Sequence, residues 1–189
     1  MKYDVVIIGG GLAGLSAAEK LSSAGKKCLV VQAGISTEAC LGSASENSPR
    51  TQRVSGFTLL RGDKVLRGEF SGCRLLRVFT ANLGCTALEA DSFILATGKF
   101  FSRGLISTME GIFEPVFGCD VEYDSDRSAW VREDFFCEQP FERFGVVSDD
   151  SGRVSVNGVF IDNLYAAGSI LAGGTELKET VDRVCRNII

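Results

Sequence analysis

Short, uniformly apolar runs alternate along this chain with glycine-rich or charged breaks, and that rhythm predicts its elements. Val5 to Ile8 ("VVII") is a continuous β-branched run, the pattern of a strand buried on both faces of a parallel sheet. It ends at Gly9-Gly10-Gly11. Leu12 to Ala24 then places Leu15, Ala18 and Leu21 on one helical face, with Gly25 positioned to stop the helix. Cys28 to Val31 is the next apolar strand, and Gly34 to Arg53, rich in small and polar residues, reads as loop. From Phe57 to Leu88 short apolar stretches are broken by Arg61-Gly62-Asp63, Ser71-Gly72 and Asn82-Leu83-Gly84, which predicts a β-meander with tight turns. The Arg-Gly-Asp triplet is read as turn chemistry rather than as an adhesion signal. Phe93 to Ala96 restores a buried strand that ends in Ala96-Thr97-Gly98. A hairpin around Asp150-Ser151-Gly152 follows, then a strand ending Leu164-Tyr165-Ala166-Ala167-Gly168, and a closing helix from Thr175 to Ile188.

The break after the first strand carries the chemistry. Gly9, Gly11 and Gly14 form G-x-G-x-x-G between a strand and a helix. The first glycine permits the tight turn, the second lets a pyrophosphate approach the backbone, and the third lets helix and strand pack closely. The helix N-terminus presents partial positive charge to an anion. Gln32 stands where a carboxylate that accepts from a ribose is expected; glutamine offers one carbonyl acceptor and an NH₂ donor instead. These features predict an α/β chain with a Rossmann-like FAD/NAD(P)-binding fold. Its mainly parallel sheet would contain an N-terminal βαβ unit and an inserted antiparallel meander, as a single flavin-binding domain over residues 1–189.

Composition narrows the options. The chain has no histidine, which excludes Ser-His-Asp and Cys-His catalysis and imidazole metal sites. Its cysteines, at 28, 40, 73, 85, 119, 137 and 185, include no C-x-x-C pair and read as reduced, mostly buried thiols. A formal charge of −4 argues against general nucleic-acid binding. Charge is unevenly placed: residues 50–77 are basic, whereas residues 120–150 carry ten acidic side chains against Arg127, Arg132 and Arg143. These stretches read as solvated faces, with a docking surface for a partner as the alternative. No secretory leader is expected before the first strand, and no apolar run approaches the roughly 20 residues that cross a bilayer. The expected location is cytoplasmic, or peripheral at the inner membrane through partners.

The middle of the chain adds a resemblance. Gly98 with Phe100-Phe101-Ser102, Gly104-Leu105, Gly111-Ile112, Glu114-Pro115, Asp134-Phe135-Phe136, Gln139-Pro140 and Phe144-Gly145-Val146 form a linked set. With the βαβ unit, this set resembles the B subunit of anaerobic glycerol-3-phosphate dehydrogenase, within the flavoproteins that have two dinucleotide-binding domains. The resemblance implies a flavin, FMN by the family and FAD by the fold. It also implies a catalytic FAD-containing subunit and an iron–sulfur membrane-anchor subunit as partners. The substrate implied is glycerol 3-phosphate, oxidised to dihydroxyacetone phosphate with electrons passed to quinone. An FMN has no adenosine ribose, which would account for Gln32. Two departures stand out: residues 45–53 replace a large insertion of the family, and "TELKETVDRVCRNII" replaces its glycine-rich helix start.

The cofactor candidates are therefore Gly9, Gly11, Leu12, Ala13, Gly14, Gln32, Ser43, Ala96, Thr97, Gly98, Gly168 and Ser169. Arg103 is a candidate for a phosphate-bearing substrate or for reduced flavin, with an ordinary surface arginine as the alternative. Lys99 and Glu114 are weak candidates for a general base. Phe100, Phe101, Phe135, Phe136, Phe141 and Phe144 either wall the pocket or pack the core. A stand-alone FAD oxidoreductase and a non-catalytic binding module remain alternatives.

Overall fold

The computed structural model describes residues 2–34, 51–54, 56–134, 136–174 and 176–189. The first unit is as expected: β1 (Lys2–Ile8), α1 (Leu12–Ser23) and β2 (Cys28–Gln32), with β1 and β2 parallel and Val6 opposite Leu29. β3 (Thr51–Val54) and β4 (Phe57–Arg61) follow. The hairpin β5 (Val65–Ser71) and β6 (Arg74–Thr80) leads to β7 (Leu88–Leu95), which returns to β1 in parallel, Phe93 opposite Val6. Two small ribbons come next, β8 (Ile106–Ser107) with β9 (Ile112–Phe113), and β10 (Val121–Glu122) with β11 (Gly145–Val146). β12 (Arg153–Val156), β13 (Val159–Ala166) and α2 (Leu177–Ile188) complete the order.

Among the described residues the main sheet runs β12-β13-β7-β1-β2-β4-β3, with β5 and β6 branching from β7. The five central strands are parallel, and an antiparallel strand borders them on each side. Alternation along β1 explains why the sheet is a filled sandwich. Val5 and Ile7 face α1 and α2, where they meet Leu15, Ala18, Leu21, Val181 and Val184. Val6 and Ile8 face the opposite layer, with Leu75, Leu105, Val146 and Ile170. Val5, Val6 and Ile7 are each fully buried, and burial of such side chains contributes about 2 kcal/mol apiece. Burial also raises the thiols of Cys28, to about 12, and Cys185, to about 11, so both stay protonated.

Two expectations need correction. Phe57–Arg61 is not the first strand of the meander but a parallel neighbour of β2, Val30 opposite Leu59. Its apolar pattern fits either role, and only the long-range pairing distinguishes them. Residues 51–54, read at their start as loop, form β3 against β4; residues 35–50 lie outside those described. The hairpin around Asp150-Ser151-Gly152 is present as expected, with Ser148 bridged antiparallel to Val154 and the turn held by Asp149, and a second hairpin, β12–β13, turns at Asn157-Gly158. That second turn has positive φ at both residues, 52° and 77°. The Asp120 carboxylate fastens it by accepting from the Asn157 and Gly158 amides, at 3.0 and 2.8 Å.

Where β6, β7 and β13 meet, buried Asn163 takes the place of a missing ladder. Its Oδ1 accepts from Leu75 N at 2.9 Å, and its Nδ2 donates to Leu75 O at 2.8 Å and Asp91 O at 3.1 Å. Asn163→Ala removes these partners from the Leu75 amide and carbonyl, while Asp91 O keeps the Arg74 guanidinium at 3.1 Å, an expected loss of about 2–3 kcal/mol. Urea unfolding checks this; a midpoint unchanged from the parent would show that the clasp contributes nothing.

Candidate functional site

The site begins where β1 leaves the sheet. Gly9 adopts φ 115°, and a Cβ on it would lie 2.2 Å from the Ala96 carbonyl oxygen. A Cβ on Gly14 would lie 2.0 Å from the Gly9 carbonyl oxygen, so the first turn of α1 sits directly on the strand exit. Gly11, the N-cap of α1, differs: a Cβ there meets nothing within 4 Å. No side chain caps this helix and its first turn has no acid, so its leading amides remain available to an anion.

Above this turn, at the carboxyl edge of the parallel strands, lies a cleft of about 850 Å³. That volume is within the range of small-molecule sites. Of the predicted residues, Gly9, Gly11, Leu12, Ala13, Gln32, Ala96, Thr97, Gly98, Arg103 and Ser169 line it. Gly14 and Gly168 do not; they support it from below. Gly168, at φ 81°, lies against the Ala13 Cβ, and its amide donates to Thr180 Oγ1 at 2.9 Å. Thr180, in turn, donates to Leu177 O at 2.8 Å and ties α2 to the end of β13. Ser43 lies outside the described residues.

The walls fit a flavin on their own terms. Small residues leave room at each strand end, and the Thr97 hydroxyl is buried with no hydrogen-bond partner among the described residues. A ligand hydroxyl or ring edge is what such a group lacks. Gln32 is buried with its side chain against Gly10, where an added Cβ would come within 2.5 Å of Oε1.

Sequence reasoning missed Asp63, Lys64 and Val65, which form the far wall after β4. Asp63 is buried and accepts from Lys64 N, Asn82 N and Thr80 Oγ1 at 2.8, 3.0 and 2.7 Å. Its own amide donates to Gln32 O at 3.1 Å. The turn reading of Arg61-Gly62-Asp63 therefore holds, with Gly62 at φ 65°. The signal for a site wall was the aspartate that follows an apolar strand.

Neither base candidate lines the cleft. Glu114 is only 1% exposed, and its carboxylate accepts from the amides of Val116, Phe117, Gly118 and Cys119. Burial, opposed in part by those bonds, holds its pKa above the ordinary range. The Lys99 ammonium donates to the Glu142 carbonyl, and burial lowers its pKa despite the Glu142 charge. Both are consumed in fixing loops. The phenylalanines do not wall the cleft either. Phe100 packs edge-on against Phe141, Phe144 joins Tyr123 and Trp130, while Phe101 and Phe136 project fully into solvent. Phe135 lies outside the described residues.

Comparison with known proteins agrees with this geometry. The family model described as "FAD binding domain" matches residues 4–48 and 45–177. The B subunit of anaerobic glycerol-3-phosphate dehydrogenase from Actinobacillus succinogenes is 43% identical over 129 residues, covering 65% of this chain and 30% of the relative. The corresponding B subunit from Aliivibrio fischeri is 40% identical over 136 residues, covering 66% and 30%. The chain thus spans about 30% of the length of the curated relatives it matches. Among solved structures, an oxidoreductase from Agrobacterium tumefaciens superposes with TM-score 0.56 at 13% identity, covering 100% of this chain and 97% of the other. A thioredoxin reductase from Gloeobacter violaceus gives 0.53 at 12%, covering 99% and 93%. At such identities these two speak to the fold alone. With the glycine turn, the cleft above it and a family model that takes in both, the chain belongs to the FAD binding domain family and is a flavin-binding chain.

Proposed function

We propose that the chain is the flavin-holding part of a redox subunit that serves glycerol 3-phosphate oxidation. One observation carries the reading: the glycine turn, Ala96-Thr97-Gly98 and Ser169 converge on one cleft in a chain 43% identical to the B subunit of a glycerol-3-phosphate dehydrogenase. The amides of Gly11 to Gly14 would meet the flavin phosphate. Gly9 and Gly98 keep the walls low, while Thr97 and Ser169 offer hydroxyls to the ribityl chain and ring. Gln32 brings no carboxylate to a ribose, which suits FMN better than FAD. A bound flavin supplies the two-electron acceptor for oxidising a secondary alcohol to a ketone, a change that also releases two protons. Lys99 and Glu114 are engaged elsewhere, so proton removal falls to a partner subunit and this chain's share is electron transfer. The partners expected on this reading are a catalytic FAD subunit and an iron–sulfur subunit that delivers electrons to quinone. No helix among the described residues is long and apolar enough to cross a membrane, and attachment at the inner face would run through the iron–sulfur partner.

The test is the visible absorption spectrum of the purified chain, with mass analysis of what denaturation releases. Released FMN is the expected result. Released FAD would move the assignment towards a stand-alone oxidoreductase. A colourless chain that also refuses added flavin would end the redox reading.

A further inference from the structure

We infer that the chain pairs with a second copy of itself through two complementary patches, the outer face of the β5–β6 hairpin and an acidic, aromatic groove around Tyr123. The inference does not depend on the flavin reading. Both patches belong to one side of the molecule. Leu75 and Val78 of the hairpin, with Phe117, Phe144 and Val146 near the groove, pack on the sheet face opposite α1 and α2. Phe70 meets Phe117 edge-on at 6.2 Å and joins the hairpin to the segment that leads into the groove.

The outer face of the hairpin is apolar and cationic at once. Its register shifts between Val65 and Arg67, and again between Glu69 and Phe70. The first shift leaves Leu66 without a cross-strand partner and the second leaves Leu76, and these leucines are 51% and 46% exposed. On the same hairpin the Arg67 guanidinium lies 3.9 Å from the Phe79 ring centre, with Arg77 at 5.8 Å. Glu69 accepts from both arginines, at 3.0 and 2.6 Å, so it orders two cations while cancelling one charge. Arginine and aromatic side chains are enriched at the centres of interfaces, and ordering them beforehand lowers the cost of association. Among the described residues β5 has a neighbour on one side only. Its bulge and its charge make that edge a poor template for an added strand, so the face is what is offered.

The groove supplies the opposite chemistry. It encloses about 470 Å³, and Tyr123, Pro140 and Phe144 line it together with the carboxylates of Glu122, Asp124 and Glu138. Its cations are Arg132 and Arg143, and Arg143 is paired with Glu138 at 3.3 Å. The surrounding stretch, residues 120–150, sets ten acids against three arginines. The third of these, Arg127, is spent on the Thr108 carbonyl at 2.8 Å and on the Trp130 ring. The negative excess is therefore not cancelled from within. An anionic groove with aromatic walls suits a guanidinium flanked by leucines, and the hairpin of this same chain carries that combination. Since each molecule bears both patches on one side, a two-fold axis brings each hairpin to the other copy's groove and makes the contact twice. A partner of a single charge sign would satisfy only one of the two.

The experiment is sedimentation velocity on the purified chain across a concentration series, with two charge-reversed variants, Arg67→Glu/Arg77→Glu and Glu122→Lys/Glu138→Lys. None of the four residues lines the flavin cleft, so the thermal midpoint serves as a check on folding without touching that site. The parent should sediment as a dimer whose dissociation constant rises at least about tenfold between about 0.05 and 0.5 M salt. Each variant alone should be monomeric where the parent is dimeric. Mixed in equal amounts, the two should form a dimer again, because both of its hairpin–groove contacts then join opposite charges. A parent that stays monomeric at low salt would overturn the inference and leave the hairpin to a different protein. Variants that dimerise as the parent does, or that fail to pair when mixed, would overturn it as well.

Discussion

Gly9→Ala should cost about 4 kcal/mol of stability and abolish flavin uptake. Two independent penalties combine at this residue. Its φ of 115° lies outside the region that a side chain tolerates, and the new methyl would press to 2.2 Å from the Ala96 carbonyl oxygen. Both neighbours are backbone at the centre of the sheet, so neither can swing away. Relief requires β1 and β7 to separate where Ile8 and Leu95 pair, and that separation opens the cleft floor. A domain of this size has about 5–15 kcal/mol in total, so much of the population would be loosened at moderate urea. Urea unfolding and flavin-to-protein ratio measured together check the prediction. A variant with parental stability and full flavin would mean that the strand exit is more pliable than its contacts imply.

Glu114→Leu should be comparably damaging, also about 4 kcal/mol, because it removes the acceptor of the Val116, Phe117, Gly118 and Cys119 amides and strands the buried pair, Phe117 and Cys119. Glu114→Gln is expected to recover about half of that. Its single oxygen can serve the three amides now on Oε2, leaving the Val116 amide facing an NH₂. The graded pair separates structure from catalysis. A general base would lose turnover in the glutamine variant while the fold stayed intact; a loop anchor loses denaturation midpoint in proportion to the amides left unpaired. Equal midpoints for all three chains would refute the anchoring role.

The parts legible in the sequence are those whose signal is local. Val5 to Ile8, the spaced glycines and the α1 pattern fit within one βαβ unit, and each expected element is present with its parallel register. Ala96-Thr97-Gly98 was readable as the small-residue end of a buried strand, and the structure places it on the cleft. What escaped detection depends on distant partners. Phe57–Arg61 reads the same whether it starts a meander or lies beside β2, and nothing within it names Val30 as its neighbour. Thr180 looks like any helix residue until Gly168 is brought to its hydroxyl. Glu114 was a weak general-base candidate in a chain without histidine. Its occupation is visible only once the 116–119 backbone curls around it.

The cleft is assembled from the ends of strands that are far apart in sequence: β1 and β2 from the first unit, β4, then β7, then β13. No partly folded form that lacks β7 or β13 contains it. Flavin affinity is therefore linked to global folding: a ligand that binds only the complete sheet draws the equilibrium towards it. At a free concentration one hundred times the dissociation constant, that linkage adds about 2.7 kcal/mol. Loss of the cofactor and loss of cooperative structure should thus reinforce one another, and the chain stripped of flavin is the form that proteases and aggregation would meet first.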